Sequence, residues 1–439
     1  MVSSAPTPRS IRDVFLFWST LAGTLLMMAA EGPIITSVIA RERDAELNLA
    51  AYGVVLAIGI FCEGPILWLL SAAMALVRGP RSLRKFQNFA IGHSLLMTLI
   101  LAALVAEPCF TVLTKDVLGL SEQIRAQMHL ALLIYVPGPF LVGYRRLYQG
   151  LIIAAGRPRK VTQSTLLRLF VLSLAAVFGP NMLGLHGAAL GSFCHMIGIL
   201  FEVIATRFFV RKELRDLAKN AEKESTDPDA YTYRAMAAFY YPLALSTSVV
   251  LIGPTLESFF LARGTLPTES LALLPLVNSA LNPFTWTGYA IQDTIIALYR
   301  PETERILKRF ESILVMTMTA LIAVFVLGPF ARVWFLRVSE VPAGLVDSAL
   351  MALELSLLLP AITIMKAARR GYLIRRGDTI AVLISEILEL ALLATGLWIG
   401  VICLHYMGLL VVSAALTVCA ALNLVWLTAR SRATEFATE

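Results

Sequence analysis

The sequence predicts an all-α membrane protein of twelve transmembrane helices arranged as two parallel six-helix repeats, and three observations predict it. The chain is 58% hydrophobic and only 15% charged, and its mean hydropathy is +0.75, well outside the range of a soluble domain of this length. Apolar stretches of roughly 20 residues recur along it, each able to cross about 30 Å of hydrocarbon. Glycines and prolines also recur at one fixed spacing. Gly32 and Pro33 return as Gly253 and Pro254, and adding the same 221 takes Pro80 to Pro301, Pro108 to Pro329, Pro139 to Pro360, Gly150 to Gly371, Gly156 to Gly377 and Gly187 to Gly408. Glycine and proline fix unusual backbone, so their ungapped recurrence repeats a backbone path. Six crossings per repeat give both halves one orientation, related by an axis along the membrane normal.

The first repeat reads as helices at 14–40, 49–77, 86–107, 124–154, 161–180 and 187–210. The first follows Arg9, Arg12 and Asp13 and carries Glu31 before Gly32-Pro33. It is too long for a signal-peptide core and has no small-residue cleavage site. The second carries Glu63 before Gly64-Pro65 and runs to Arg78; the third follows Arg81, Arg84 and Lys85. The fourth holds Arg145 and Arg146 and ends before Arg157; the fifth holds Arg168; the sixth begins at Gly187. The second repeat reads as helices at 234–262, 268–298, 310–336, 347–374, 379–403 and 406–429. Asn278, Asn282 and Pro283, with Trp286 and Tyr289, give the eighth helix a broken, polar inner surface. Lys366, Arg369 and Arg370 lie in the tenth, and Glu386 and Glu389 in the eleventh. Residues 1–217 are thus the N-lobe and 218–439 the C-lobe, joined by a charged linker at about 211–232 that carries no motif and whose first part suits a solvated helix.

Basic residues cluster at alternate connections: Arg78 to Lys85, Arg157 to Lys160, Arg211 to Lys223, Arg300 to Arg309, and Arg375 with Arg376. By the positive-inside rule these connections and both termini are cytoplasmic. The net charge of +7 is then an orientation signal, and no basic segment interleaved with aromatics points to nucleic acid. Five scattered cysteines and five unclustered histidines support neither a disulfide framework nor a metal site. No HExxH, GxSxG or paired-aspartate pattern appears in or near a span, so no catalytic residue, enzyme activity or cofactor is expected.

Charges inside hydrocarbon are costly and point to function. Glu63 lies about 15 residues from Arg78, or roughly 22 Å along the helix, close to the midplane. The adjacent proline frees a carbonyl one turn earlier, and a carboxylate beside loosened backbone can hold a proton or cation or can cap a kink. Glu31 lies nearer the outer surface. Arg145 and Arg146 are roughly 18 Å deep by the same count. Adding 221 takes Arg145 to Lys366 and Arg168 to Glu389. Arg145, Arg146, Arg168, Lys366, Arg369 and Asn282 are therefore candidate substrate-binding residues, and Glu63, Glu31 and Glu389 candidate coupling residues. Three readings stand for the basic set: an anion site, structural pairing with Glu354, Glu386 and Glu389, or snorkelling of Arg370, Arg375 and Arg376 to head groups. With only Glu31 and Glu63 answering the positive charge of the first half, an anion is favoured.

Tyr148-Gln149-Gly150 followed by Ala155-Gly156-Arg157-Pro158-Arg159, and the Gly187-Ala188-Ala189-Leu190 entry to helix 6, resemble the multidrug and toxin extrusion (MATE)-like, or multidrug/oligosaccharide-lipid/polysaccharide (MOP), flippase superfamily. Within it, Ala51-Tyr52-Gly53, Phe61, Gly64-Pro65 and Tyr241-Pro242-Leu243-Ala244-Leu245 look closest to the progressive ankylosis protein family. The resemblance implies two lobes forming a V around a central cavity, alternating access, and export of polyanions such as citrate, nucleotides and pyrophosphate. Glu63 departs from that family, where no acid is expected before this Gly-Pro.

Together these readings give a monomeric inner-membrane secondary transporter, exporting a small organic or phosphate-bearing anion and driven by H+ or Na+. The alternatives are a flippase for a lipid-linked oligosaccharide, for which fourteen helices are usual, and a multidrug cation extruder, which needs an acidic and aromatic cavity.

Overall fold

The computed structural model describes residues 8, 10–219, 232–339 and 341–436. Twelve long helices account for nearly all of them. They are α1 (Ile11–Ile39), then α2 (Ala45–Leu76), α3 (Pro80–Val105), α4 (Glu122–Ala154), α5 (Pro158–Leu183) and α6 (Gly187–Lys219). α7 (Tyr233–Leu261) and α8 (Pro267–Leu298) follow, then α9 (Pro301–Leu327), α10 (Ala343–Arg376), α11 (Thr379–Cys403) and α12 (Gly408–Phe436). Eleven of these are long and apolar enough to span a bilayer. The exception is α8, whose Pro275, Asn278, Asn282 and Pro283 dilute its apolar surface.

Two helices start earlier than their apolar stretches suggest. α3 begins at Pro80 and α9 at the turn Pro301–Thr303, so Arg81, Arg84, Lys85, Arg305, Lys308 and Arg309 lie on helices rather than in connections. Proline at the first helical position lacks the amide that would go unbonded there, and so starts a helix well before hydrocarbon begins. α9 in turn stops at Leu327, before Gly328-Pro329, where sequence reading carried it to 336. A short helical segment ending in a π-turn at Trp334–Val338 follows.

Several spans break beside their prolines. α2 stops its regular hydrogen bonding at Glu63 and tightens into a 3₁₀ turn at Gly64–Trp68 before resuming. α4 breaks between Tyr135 and Gly138, and α10 between Leu355 and Leu359, in each case just before Pro139 or its repeat Pro360. α6 bends at Val210 into the amphipathic turn Arg211–Lys219. The solvated linker helix expected there is only partly so, because Glu213 is buried and accepts from Arg157 Nη1 at 2.9 Å. The rest of the linker, 220–231, lies outside the described residues.

The chain divides into two compact units. The first holds Gly23–Ala244, and the second holds the described residues before Gly23 together with those from Leu245 onward. The opening turns of α1 thus belong with the later helices, and those of α7 with the earlier ones. Each segment has an aromatic anchor inside its unit. Trp18 donates its indole N–H to the Thr287 carbonyl at 3.2 Å, and Tyr240 donates its hydroxyl to the Pro65 carbonyl at 2.6 Å. In the first unit α2 and α4 approach at Gly150, where a Cβ would meet the Leu70 carbonyl. In the second, α8 and α10 approach at the equivalent Gly371, where a Cβ would lie 3.0 Å from the Gln292 carbonyl. The second unit's core joins Leu273, Val277 and Leu281 of α8 to Leu353 of α10, Leu397 of α11 and Val412 of α12.

Candidate functional site

Each unit carries a buried polar constellation on its inner helices. In the first unit the centre is Glu202, on α6 and fully buried. Arg145 Nη1 from α4 donates to its Oε2 at 2.5 Å, and Arg168 Nη1 from α5 at 3.4 Å. Gln149 Nε2 and Thr165 Oγ1 donate to its other oxygen at 3.0 and 2.9 Å. Arg168 Nη2 continues the chain to Glu31 Oε2 on α1. Glu31 Oε1 in turn lies 2.6 Å from His195 Nδ1, and the far ring nitrogen of that histidine is 3.3 Å from Tyr135 Oη. Tyr135 also lies against Glu63. Glu63 sits at the α2 break over Gly138, its Oε1 buried without a hydrogen-bond partner among the described residues.

Arg145 and Arg168 are each 3% exposed; such deep burial of a guanidinium is tolerable only with paired carboxylates and hydrogen bonds. Both arginines are candidate substrate-binding residues from sequence, and the structure joins them through Glu202. Arg146, one residue along α4, is half-buried. Contrary to the expectation from sequence, Glu202 adds a third buried carboxylate to Glu31 and Glu63, so the first half holds no buried cationic excess. The signal for Glu202 was a single acid inside an otherwise apolar span. His195, one of the five histidines that form no cluster in sequence, is likewise a bridging member.

In the second unit Lys366 Nζ on α10 donates to Glu389 Oε2 on α11. Asn423 Nδ2 on α12 donates to that same oxygen at 2.5 Å. Arg370 pairs with Glu386, and Arg369 Nη2 donates to Glu311 Oε1 at 2.7 Å. Arg370, for which snorkelling to head groups was one reading, thus points at a buried carboxylate. Lys366, Arg370 and Glu389 also line a cavity of about 280 Å³, together with Asn278, Asn282, Trp286 and Tyr289 of α8. Asn282 and Lys366 therefore meet at one cavity, whereas Arg369 turns away to Glu311. A lysine, an arginine and two carboxamides lining one cavity are hydrogen-bond donors suited to carboxylate or phosphate oxygens. Among the described residues no group of three or more His, Cys, Asp or Glu side chains could hold a metal ion.

No protein-family model matches the chain, and no curated protein matches it. Solved structures do match along nearly its whole length. A MOP superfamily transporter from Pyrococcus furiosus, for which reverse polarity of the binding pocket suggests a different function, aligns with TM-score 0.75 at 12% identity, covering 98% of this chain and 99% of that one. The Vibrio cholerae MATE transporter VcmN in its bent form aligns with TM-score 0.76 at 13% identity, covering 97% and 98%. An outward-facing multidrug resistance MATE family transporter aligns with TM-score 0.75 at 13% identity, covering 98% and 99%. The chain has the fold of MATE/MOP transporters and is a multi-pass membrane protein.

Proposed function

We propose that this protein is an inner-membrane secondary transporter that exports a small organic or phosphate-bearing anion by alternating access, with its termini cytoplasmic. The observation that carries the reading is the second-unit cavity, which Lys366 and Arg370 line together with Asn278, Asn282 and Trp286. A carboxylate or phosphate entering it would replace Glu389 at Lys366 and gain charge-assisted hydrogen bonds. On this reading Arg145 and Arg168 hold the first unit together through Glu202, and Glu63 and Glu31 serve coupling to H+ or Na+. The Pyrococcus furiosus neighbour, with its reversed pocket polarity, supports the reading in that this fold is not tied to a single pocket chemistry. Citrate, nucleotides and pyrophosphate are the substrate class to test first.

A multidrug cation extruder is the second reading. It is favoured by the carboxylates of Glu31, Glu63 and Glu202 in one unit and by the unpartnered Glu63 oxygen. Inverted membrane vesicles decide between the two. Uptake of radiolabelled citrate, ATP and pyrophosphate, with and without a pH or sodium gradient, is expected for at least one anion and is expected to fall when Lys366 is replaced by Gln. Accumulation of a lipophilic cation with no anion uptake would establish the second reading instead.

A further inference from the structure

Glu389 belongs to two cavities. It lines the 280 Å³ cavity with Lys366, and it also lines an adjoining one of about 250 Å³ bounded by Gly253, Pro254, Glu257 and Glu386. Its side chain is 22% exposed, so it is not packed rigidly on all sides. In the described arrangement it lies on the Lys366 side, held by Lys366 Nζ and by Asn423 Nδ2. The second cavity is acidic. Glu386 on its wall pairs with Arg370, while Glu257, only 7% exposed, has no hydrogen-bond or ion-pair partner among the described residues. Three carboxylates thus face two cations around Glu389.

We propose that Glu389 is an internal competitor for the transported anion: it occupies Lys366 when the cavity is empty and swings toward the second cavity when the anion binds. The inference rests on the reading that Lys366 binds the anion, and it specifies how that affinity is set. A lysine buried this deeply needs a counter-anion at every stage of a transport cycle. Glu389 provides one in the empty carrier, and so keeps Lys366 extended into the cavity. An arriving carboxylate or phosphate takes over the lysine, and Glu389 must then leave toward Glu257 and Glu386. Like charges brought into one cavity repel, and two acids there cannot both stay ionised cheaply. That repulsion weakens net anion affinity and drives Glu389 back to Lys366, favouring release of the anion. A carrier that bound its substrate without such a penalty would hold it too long to turn over quickly.

The geometry separates this role from a purely structural one, because Glu257 lines only the second cavity. It touches neither Lys366 nor the anion, yet its charge sets the cost of moving Glu389. The test is equilibrium binding of radiolabelled pyrophosphate and citrate to the purified full-length protein in lipid nanodiscs. Glu389→Gln removes the competitor and is expected to tighten binding roughly tenfold or more, the size of one charge-assisted contact. Glu257→Gln lowers the repulsion and is expected to tighten binding by a smaller factor, with slower anion release in both variants. If Glu389→Gln fails to fold, the Glu257→Gln result still decides. Should the parent bind and Lys366→Gln weaken binding, while Glu257→Gln and Glu389→Gln leave affinity unchanged or lower it, this inference is overturned and the anion reading stands. If the parent binds neither probe, the anion reading falls and this inference falls with it.

Discussion

The two units place the same five positions at their polar centres and fill them with different charges. Adding 221 takes Arg145 to Lys366, Gln149 to Arg370, Thr165 to Glu386, Arg168 to Glu389 and Glu202 to Asn423. In the first unit the acid is on the last helix, and Arg145, Arg168, Gln149 and Thr165 all converge on it. In the second unit the last helix carries the neutral Asn423, and the acids have moved to α11 as Glu386 and Glu389. Lys366 and Arg370 are then each held by a single carboxylate and reach a cavity. A duplicated scaffold has one closed centre and one open one, and the difference comes down to which helix holds the carboxylate. The closed centre suits a frame or a relay, and the open one suits exchange of a ligand.

The largest effect should come from a residue with no charged counterpart in the other unit. Glu63 maps to Phe284, so only the first unit has an acid at the break in its second helix. A coupling group must gain and lose an ion during the cycle, and Glu63 has an oxygen free to do so. Glu63→Gln is expected to abolish gradient-driven transport in vesicles while leaving exchange of substrate down its own gradient. If the variant responds to the imposed gradient as the parent does, the asymmetry at this position is unrelated to coupling.

Next in size is the frame itself. Glu202→Ala leaves Arg145 and Arg168 without their shared carboxylate, and breaking a buried pair from one side costs about 3–5 kcal/mol. Loss of expression or a marked drop in thermal unfolding temperature in detergent is expected. Asn423→Ala at the equivalent position removes one hydrogen bond to Glu389 and should cost about 1.5–3 kcal/mol at most, since its partner is charged. Equal losses from the two substitutions would erase the distinction between a closed and an open centre.

The ligand side of the comparison is tested by paired substitutions at one repeat position. Lys366→Gln is expected to weaken anion binding about 10–100-fold while the protein still folds, the value of one charge-assisted contact. Arg145→Gln is expected to do the reverse: it disturbs folding, and whatever protein folds binds normally. Weakened binding with intact folding in Arg145→Gln would return that arginine to the substrate site, as its depth alone suggested.

Much of the architecture was legible because its causes are local. Apolar runs, glycines and prolines are properties of short segments, and they gave the twelve helices and the repeat. The starts of α3 and α9 were misplaced because Pro80 and Pro301 begin a helix in polar surroundings, where hydropathy carries no signal. α8 is the least apolar span for the same residues, Asn278 and Asn282, that line the cavity. The site was only half legible. Depth along a helix identified Arg145 and Arg168, and the repeat spacing carried them to Lys366 and Glu389, but pairing depends on contacts such as Arg168 to Glu31, which are 137 residues apart. Glu202 was passed over as one acid in an apolar span, yet the repeat would have paired it with Asn423, the only Asn or Gln in the described part of α12.

The smallest expected effect concerns the two anchors. Trp18 and Tyr240 are 222 residues apart, and so are the residues whose carbonyls they bond, Pro65 and Thr287. One residue off the repeat spacing, the same device appears twice: an aromatic near the start of α1 or α7 donates to a backbone carbonyl of α8 or α2. Both carbonyls lie where a proline disturbs regular bonding, Thr287 four residues after Pro283 and Pro65 in the 3₁₀ turn beside Glu63. Tyr240→Phe removes a single neutral hydrogen bond and keeps the ring that packs edge-on against Phe89 and His93. A loss of about 0.5–1.5 kcal/mol is expected, read as a small fall in unfolding temperature. Because the Pro65 carbonyl is two residues from Glu63, Tyr240→Phe should also impair gradient-driven transport, whereas Trp18→Phe, whose partner Thr287 is six residues from the nearest acid on α8, Asp293, should lower stability alone. Equal transport losses from both would mean that the anchors serve the repeat as a whole and that Tyr240 has no special bearing on Glu63.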